Sequence, residues 1–409
     1  MNASGSSAEK QPWIRPRHQF FRSLLGPVLG LCSRLRYHVR IERFRDEGAE
    51  PVLILYNHQT PFDQFFIMSA FRHPVYYVAT EDIFSKGMLS SALRFIAAPI
   101  PIRKQKTDLQ ALATISRVAR EGGNIALAPE GNRTFSGKTE YMSPAVVHLI
   151  RRLRLPVLFF RIEGGYGVHP RWSDKVRRGS MHARPVRLIS PEEYGKMSAR
   201  ELLDCIQEGL SVNEAVPGGR YVSRRKAEYL ERRVYVCPFC GLSVFRSSGD
   251  ETECLSCRRR VRYGEDKRLT GVGFDFPFSF ANDWYEYQKR FVNRLDPGDW
   301  RDKPMFTDRV CLYEVFEFRR KELREKDISL RLYGDRIVFG EEGENPRICP
   351  YSEISGMAAI GRNRLNFYHG DQTFQVRGDC HFNALKYVNL YYRAINVIKG
   401  EPYGEFLGL

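Results

Sequence analysis

The sequence lacks any run of about 18 or more apolar residues, so it predicts no helix that could cross a membrane. The longest apolar stretch near its start, residues 20–32, is interrupted by Arg22, Ser23 and Pro27 and has no cleavage-site signature. We therefore expect no signal peptide. The sequence also has no G-x-G-x-x-G, P-loop or H-E-x-x-H motif. These absences remove the motif-level support for dinucleotide binding, nucleotide phosphate binding and zinc-protease chemistry.

Acidic residues are scarce relative to basic ones. The chain has 48 Asp and Glu against 64 Lys and Arg, which gives a formal net charge of +16. An excess of this size favours anionic partners, such as an anionic membrane lipid or an acidic carrier, and charge alone also allows nucleic acid. With 409 residues, of which 43% are hydrophobic, the chain is long enough for two or three packed domains.

The most informative residues are His58 and Asp63. They follow the apolar run of residues 52–56, which is typical of a buried strand. A carboxylate five residues after the histidine can accept a hydrogen bond from one ring nitrogen and leave the other free to take a proton from a substrate hydroxyl. The pair therefore predicts the base and the orienting acid of a catalytic triad whose nucleophile is the substrate.

Three further blocks follow in order. Residues 99–102 form a short apolar strand that ends at Arg103, and residues 124–128 form a second strand followed by Pro129–Thr134. Residues 155–160 are an apolar stretch centred on a proline. An arginine can bind a phosphate through two hydrogen bonds, so we predict that Arg103 and Arg133 bind phosphate. The turn at Glu130 and Gly131 offers backbone N–H groups that could stabilise an oxyanion.

These blocks resemble those of the glycerolipid acyltransferase family, whose best-known member type is the lysophosphatidate acyltransferase. The resemblance covers about residues 35–215, with Asn132 and Thr134 as variants in the third block. It rests on Asn57, His58 and Asp63, on Arg103, on Pro129, Glu130, Gly131 and Arg133, and on Pro156.

The resemblance implies transfer of a fatty acyl group from acyl-CoA or acyl carrier protein to a lysophospholipid hydroxyl, as in phospholipid biosynthesis or remodelling. It assigns catalysis to His58 and Asp63. It assigns substrate binding to Asn57, Arg103, Glu130, Gly131 and Arg133. The alternative is a catalytically inactive membrane- or nucleic-acid-binding protein that keeps the same scaffold, which the altered third and fourth blocks and a basic segment at residues 258–260 favour.

The segments alternate between strand-like and helix-like patterns from about residue 38 to residue 190, which predicts an α/β domain with a central mixed sheet flanked by helices. We expect six regions: a disordered tail and an amphipathic helix, the acyltransferase domain, a basic linker, a zinc ribbon, an aromatic connector and a β domain. Their predicted ranges are 1–37, 38–212, 213–234, 235–263, 264–300 and 301–409.

The zinc prediction comes from two C-x2-C pairs that are 13 residues apart, Cys237 with Cys240 and Cys254 with Cys257. This spacing is typical of a structural Zn²⁺ site with four thiolates. Two disulfides or redox-active pairs are the alternatives. The other five cysteines are scattered, which favours a reducing compartment, where disulfides are rare.

The two ends of the chain predict membrane contact. Residues 13–37 mix arginines with Trp, Phe and Leu, a composition that suits a helix lying in the membrane interface, although such a helix could equally pack on the catalytic domain. Residues 328–376 alternate at short spacing and precede one helix at 381–398, and this antiparallel meander resembles a pleckstrin-homology-like barrel. We therefore expect a peripheral protein on the cytoplasmic face of the membrane.

Overall fold

A computed structural model describes residues 11–401 except 46, 47, 49, 85, 86, 103–107, 317–319, 342 and 344, and also residues 403, 404 and 406. The elements of its first part are, in chain order, α1 (Pro16–Tyr37), β1 (Val39–Ile41), β2 (Leu53–Tyr56), α2 (Asp63–Ala70), β3 (Val75–Thr80), α3 (Glu81–Phe84), α4 (Met88–Ala97), β4 (Ile100–Ile102), α5 (Leu109–Arg120), β5 (Asn124–Leu127), α6 (Ala145–Leu153), β6 (Val157–Glu163), α7 (Gly165–Val168), β7 (Met181–Ile189), α8 (Pro191–Gly195) and α9 (Ala199–Leu210).

The strands β1 to β7 form one sheet in the order β1-β7-β6-β2-β5-β3-β4. Every neighbouring pair is parallel except β6 and β7, which are antiparallel. Side chains of β2 alternate between two apolar cores: Ile54 and Tyr56 pack towards α2, and Leu53 and Leu55 pack towards α5, α6 and α9. The predicted α/β class with a central mixed sheet is confirmed.

Strand β2 lies at the centre of this sheet, and its position determines where the sequence blocks described above meet. Leu55 pairs with Leu127 of β5 on one side and with Phe159 of β6 on the other. Because neighbouring parallel strands end at the same edge of a sheet, the loops that follow β2, β5 and β6 lie next to one another. Residues 57–62, 128–144 and 164–180 therefore surround one site.

Most predicted elements of this domain are present with ends shifted by a few residues. The predicted strand at 38–44 is shorter, since only Val39–Ile41 is in the sheet. Helix α9 was not predicted, although Ser198 and Glu201 form a capping box at its start, in which each side chain bonds the other residue's backbone N–H.

The segment between α9 and the cysteine pairs, predicted as a basic linker, carries two buried arginines: Arg232 and Arg233 are 2% and 0% exposed. The next elements are β8 (Val236–Cys237), β9 (Gly241–Leu242), β10 (Phe245–Ser248), β11 (Glu251–Cys254), β12 (Arg260–Tyr263), β13 (Leu269–Gly271) and α10 (Ala281–Arg294). Helix α10 lies in the range predicted as an aromatic connector. Its Trp284 is fully buried and donates its indole N–H to the Val236 carbonyl.

The last part of the chain is an antiparallel sheet with a terminal helix. Its elements are β14 (Phe306–Val315), β15 (Glu322–Leu332), β16 (Arg336–Phe339), β17 (Arg347–Pro350), β18 (Ile354–Ile360), β19 (Arg364–His369), β20 (Gln372–Arg377) and α11 (Ala384–Ile398). The strand order is β17-β16-β15-β14-β20-β19-β18, so two meanders join through β14 and β20. Strand β14 and the first half of β15 were not predicted. The likeness to a pleckstrin-homology barrel stays a prediction.

Helix α1 has two different faces. Small buried residues, Gly26, Gly30 and Ser33, lie on one side of α1, and a Cβ atom at Gly30 would come within 2.9 Å of the hydroxyl of Ser69 in α2. The opposite face carries an exposed apolar stripe at Phe20, Leu24, Val28, Leu31 and Leu35, each more than half exposed. None of the helices in the described part of the chain is sufficiently long and apolar to span a bilayer.

Candidate active site and metal centre

His58 and Asp63 form the predicted pair. The Nδ1 atom of His58 lies 2.7 Å from Oδ2 of Asp63. Asp63 is fully buried and begins α2, whereas the side chain of His58 remains about one quarter exposed. Since a carboxylate only accepts hydrogen bonds, Nδ1 must carry the proton, and Nε2 is left as the basic nitrogen of the ring.

Asp63 also fixes the turn that contains His58. Its carboxylate accepts hydrogen bonds from the backbone N–H of Gln59 at 2.7 Å, from the backbone N–H of Thr60 at 2.9 Å and from the Thr60 hydroxyl at 2.7 Å. These bonds compensate for the loss of water around a buried charge. The orientation of the imidazole is therefore set before any substrate binds.

Burial lowers the pKa of His58 below its usual 6.5, and the hydrogen bond and negative charge of Asp63 oppose this shift. The positive charges of Arg133 and Arg171 lower the pKa further. The net effect keeps the imidazole neutral near pH 7, which is the protonation state that a general base requires.

Glu130 joins two loops of the site through hydrogen bonds, and its part in substrate binding stays a prediction. Its two carboxylate oxygens accept hydrogen bonds from the backbone N–H groups of His58 at 3.1 Å and Glu140 at 3.0 Å. Burial raises the pKa of Glu130 to about 8, although both hydrogen bonds oppose the shift. Glu130 thus joins the loop after β5 to the residue that carries the imidazole, a use that the sequence did not predict.

Gly131 has φ of +68°, and its backbone N–H donates to the Ala128 carbonyl at 3.0 Å. That N–H is therefore already used in the turn, and oxyanion stabilisation by Gly131 remains a prediction. The amide of Asn57 donates one hydrogen bond to the Ile162 carbonyl at 2.8 Å and accepts one from the Ile162 N–H at 2.7 Å. In this geometry Asn57 joins the ends of β2 and β6, and its predicted contact with substrate is untested.

Arg133 lies in the wall of the site and is 8% exposed. Its Nε and Nη2 atoms donate to the carbonyl oxygens of Gln59 at 3.3 Å and His169 at 3.1 Å. Burial lowers the pKa of Arg133 to about 10, which leaves it charged at neutral pH. It brings a positive charge close to His58, as phosphate binding would require. Arg103, the other predicted phosphate ligand, lies outside the described residues.

The loop after β6 supplies residues that the sequence analysis missed. His169 is buried and contacts Tyr37, whose hydroxyl lies 2.9 Å from its Nδ1 atom. Burial, reinforced by nearby arginines, lowers the pKa of His169 to about 2, so the ring is neutral. Arg171, also in this loop, donates to the Arg133 carbonyl at 2.7 Å. No pattern in the sequence around these residues indicates the contacts that they make, because their partners lie far away in the chain.

The four cysteines of the predicted zinc ribbon come together. Their sulfurs all lie within 4.8 Å of one another, with 3.7 Å between Cys237 and Cys257 and 3.5 Å between Cys240 and Cys254. Tetrahedral Zn–S bonds of about 2.3 Å would place the sulfurs roughly 3.8 Å apart. A disulfide would require about 2.05 Å. The cluster fits a metal ion held by four thiolates and could hold Zn²⁺. Four thiolates would fill the tetrahedral coordination of the ion and leave no position open for a substrate.

A cavity of about 630 Å³ opens between the start of α1, α4, β4 and α5, and four of its lining residues are Arg15, Arg17, Arg94 and Arg117. Neither His58 nor Asp63 is among the residues that line it. We therefore assign it no part in the catalytic step.

Comparison with known proteins supports the acyltransferase resemblance over part of the chain. Residues 34–163 match the family described as Acyltransferase, and this segment contains His58, Asp63 and Arg133. Among solved structures, the chain is similar to the 1-acyl-sn-glycerophosphate (LPA) acyltransferase PlsC from Thermotoga maritima. That match has 18% identity and a TM-score of 0.40, and covers 48% of this chain and 80% of the other. No curated protein matches the sequence.

The pKa of His58 provides a test of the pair. We expect the imidazole to titrate below pH 6.5, and Asp63→Asn to lower that pKa by a further 1–2 pH units or so, because the carboxylate favours the protonated ring. The measurement is an NMR titration of ¹³C-labelled histidine, with the resonance assigned by its loss in His58→Ala. An unchanged or higher pKa in the Asp63→Asn protein would mean that the carboxylate does not support this ring.

The cysteine cluster predicts about one equivalent of Zn²⁺ per chain and a lower melting temperature after chelation, because metal binding stabilises only the folded ribbon. Cys237→Ser should abolish most of the bound zinc, measured by elemental analysis. Cys32→Ser is the matched control, since Cys32 is an exposed thiol on α1. Equal zinc content in the two variants would contradict the assignment.

Proposed function

We propose that the protein is an O-acyltransferase that transfers a fatty acyl group from acyl-CoA or acyl carrier protein to a lysophospholipid hydroxyl. The observation that carries the proposal is the oriented imidazole of His58, with Nδ1 held by buried Asp63 and the side chain one quarter exposed, within a segment that matches an acyltransferase family. Phospholipid biosynthesis or remodelling would be the setting for such an activity.

In the proposed reaction the acceptor hydroxyl gives its proton to Nε2 of His58 as its oxygen attacks the thioester carbonyl. A C–O bond forms, and the tetrahedral intermediate then expels the thiolate as the C–S bond breaks. The imidazolium returns the proton to the leaving thiolate, so the enzyme ends unchanged. Asp63 stabilises the imidazolium throughout, and general-base catalysis of this kind contributes roughly 10²–10⁴-fold.

The acceptor is proposed to carry a phosphate, as a 1-acylglycerol-3-phosphate does. Buried Arg133 places a positive charge beside the turn that bears His58, and the predicted role of Arg103 would add a second. Charge-assisted hydrogen bonds from guanidinium groups to phosphate are short and strong, which suits recognition of such an acceptor. Zn²⁺ is proposed to stabilise the ribbon and takes no part in the reaction.

The exposed stripe of α1 supports a proposal of peripheral binding at the cytoplasmic face of an anionic membrane. Helix α4 lies against α1 and extends the apolar surface with Met88, Leu89 and Phe95, which are 90%, 62% and 51% exposed. Exposed apolar side chains grouped on two neighbouring helices often mark a surface that binds a membrane or another protein. The exposed Arg34 and Arg94 suit an anionic lipid surface.

The function is tested by acyl transfer from labelled acyl-CoA and acyl carrier protein to a panel of lysolipids. We expect transfer to a phosphate-bearing acceptor, and a loss of at least about 100-fold in kcat for His58→Ala. Circular dichroism would establish that the variant is folded. Full transfer by folded His58→Ala would end this mechanism. No transfer by zinc-loaded wild-type protein would favour the inactive binding scaffold, for which salt-sensitive DNA binding is the next measurement.

Membrane binding is tested with the double variant Leu24→Glu, Leu31→Glu, which places two charges on the exposed stripe. We expect loss of cosedimentation with vesicles that contain phosphatidylglycerol, because the apolar face could no longer enter the interface. The control is Val216→Glu, Val244→Glu, two valines that are 41% and 49% exposed outside α1 and α4. Equal binding by both variants would show that α1 does not contact the bilayer.

A further inference from the structure

The turn between β18 and β19 of the C-terminal sheet reaches the candidate active site. Arg171, which is 1% exposed, donates hydrogen bonds to the carbonyl oxygens of Ala359 and Gly361 at 2.7 and 2.8 Å. The same guanidinium donates to the Arg133 carbonyl at 2.7 Å. One buried side chain therefore joins the loop that carries Arg133 to the turn that carries Arg362.

Arg362 extends from this turn towards His169. Its Nη2 atom lies 3.2 Å from His169 Nε2, and its Nη1 atom lies 3.0 Å from Asp174 Oδ1. The backbone oxygen of His169 accepts from Arg133 at 3.1 Å. Arg362 and Arg133 thus contact the same residue from two sides, and the side chain of Arg362 is still one third exposed.

The contact with Arg362 also determines the hydrogen bonding of His169. A guanidinium can only donate, so Nε2 of the neutral ring accepts and Nδ1 carries the proton. That proton points to the Tyr37 hydroxyl, 2.9 Å away. The Tyr37 ring packs on the ring of Phe62, with ring centres 5.0 Å apart. Phe62 belongs to the turn that joins His58 to Asp63. A chain of contacts therefore runs from the C-terminal sheet to the catalytic turn.

Positive charge exceeds negative charge in this region. The charges of Arg133, Arg362 and Arg36 all act on His169. Asp174 is the carboxylate that pairs with Arg362, and it is shared with buried Arg232 at 2.6 Å. Among the described residues, buried Arg133 donates to carbonyl oxygens and forms no ion pair with a carboxylate, and the charge of Asp63 acts on it only through space. Buried cations are costly unless a negative charge compensates them.

We propose that Arg362 binds the phosphate of the acceptor together with Arg133, so that the C-terminal sheet completes the acceptor site of the acyltransferase domain. The proposal rests on the proposed function for the identity of the acceptor. It assigns to the C-terminal sheet a part in substrate selection. A phosphate monoester offers several acceptor oxygens and up to two negative charges, which suits two guanidinium groups close enough for their charges to act on each other.

Steady-state kinetics of Arg362→Ala provide the first test. With lysophosphatidate as acceptor we expect KM to rise about tenfold or more, and kcat to change less than about threefold, because a charged hydrogen bond to the bound substrate is lost. The rate with monoacylglycerol, which has no phosphate, should not change. The KM for acyl-CoA should also stay the same, which separates the acceptor's phosphate from the phosphates of the donor.

Two further variants separate binding from folding. Arg362→Lys keeps the charge and should recover part of the affinity. Arg309→Ala removes an arginine of the same sheet that pairs with Asp327 and Glu341 on the exposed surface, and it should behave as wild type. An equal loss of transfer rate with lysophosphatidate and with monoacylglycerol would show that Arg362 only supports the loop that carries His169. That result would overturn the proposal. A rise in the KM for acyl-CoA alone would overturn the proposal as well.

A binding measurement decides the question even if the protein transfers no acyl group. Calorimetric titration of glycerol 3-phosphate into wild-type protein, Arg362→Ala and Arg309→Ala at low salt should show weaker binding, by about tenfold, in Arg362→Ala alone. Absent acyl transfer would overturn the proposed function, whereas this difference in binding would still support the phosphate site. Equal affinity in the three proteins, or no binding by any of them, would overturn the phosphate site.

Discussion

The geometry of the candidate active site depends on the buried carboxylate of Asp63. Removal of this charge from water is tolerable because four groups donate to it: the ring of His58, two backbone N–H groups and the hydroxyl of Thr60. The hydrogen bonds that offset the desolvation of this carboxylate also stabilise the turn between β2 and α2. Local stability and orientation of the base are therefore produced by the same interactions, and neither can be altered independently of the other.

The sequence predicted the parts of this site that depend on local pattern. The apolar runs located β2, β5 and β6, and parallel pairing at one sheet edge then brings His58 close to Arg133. The regular cysteine spacing likewise predicted the four-sulfur cluster. Helix α9 could also have been found, since Ser198 and Glu201 have the spacing of a capping box. Strand β14 alternates buried Val310 and Leu312 with more exposed residues, and this period of two is typical of a strand.

The missed residues share a different property: their contacts join positions far apart in the chain. Arg171 bonds a carbonyl 190 positions later, and Arg362 contacts a histidine 193 positions earlier. No periodicity or spacing encodes such a contact, because it depends on how the sheets pack. The basic linker shows the same limit, since a run of charges usually indicates a solvated face, yet Arg232 is buried and bonds Asp174 together with the Cys380 carbonyl.

The fully buried Trp172 has a consequence for synthesis of the chain. It belongs to the loop after β6, but its indole packs in the core of the cysteine-rich region with Val261 and Trp284. Chains emerge from the ribosome amino end first, and their domains fold as they appear. Trp172 is therefore synthesised well before the residues that bury it. A chain that ends before Val261 would lack Val261, Tyr263 and Trp284, the residues of the cluster that buries this indole, and would leave Trp172 exposed to solvent.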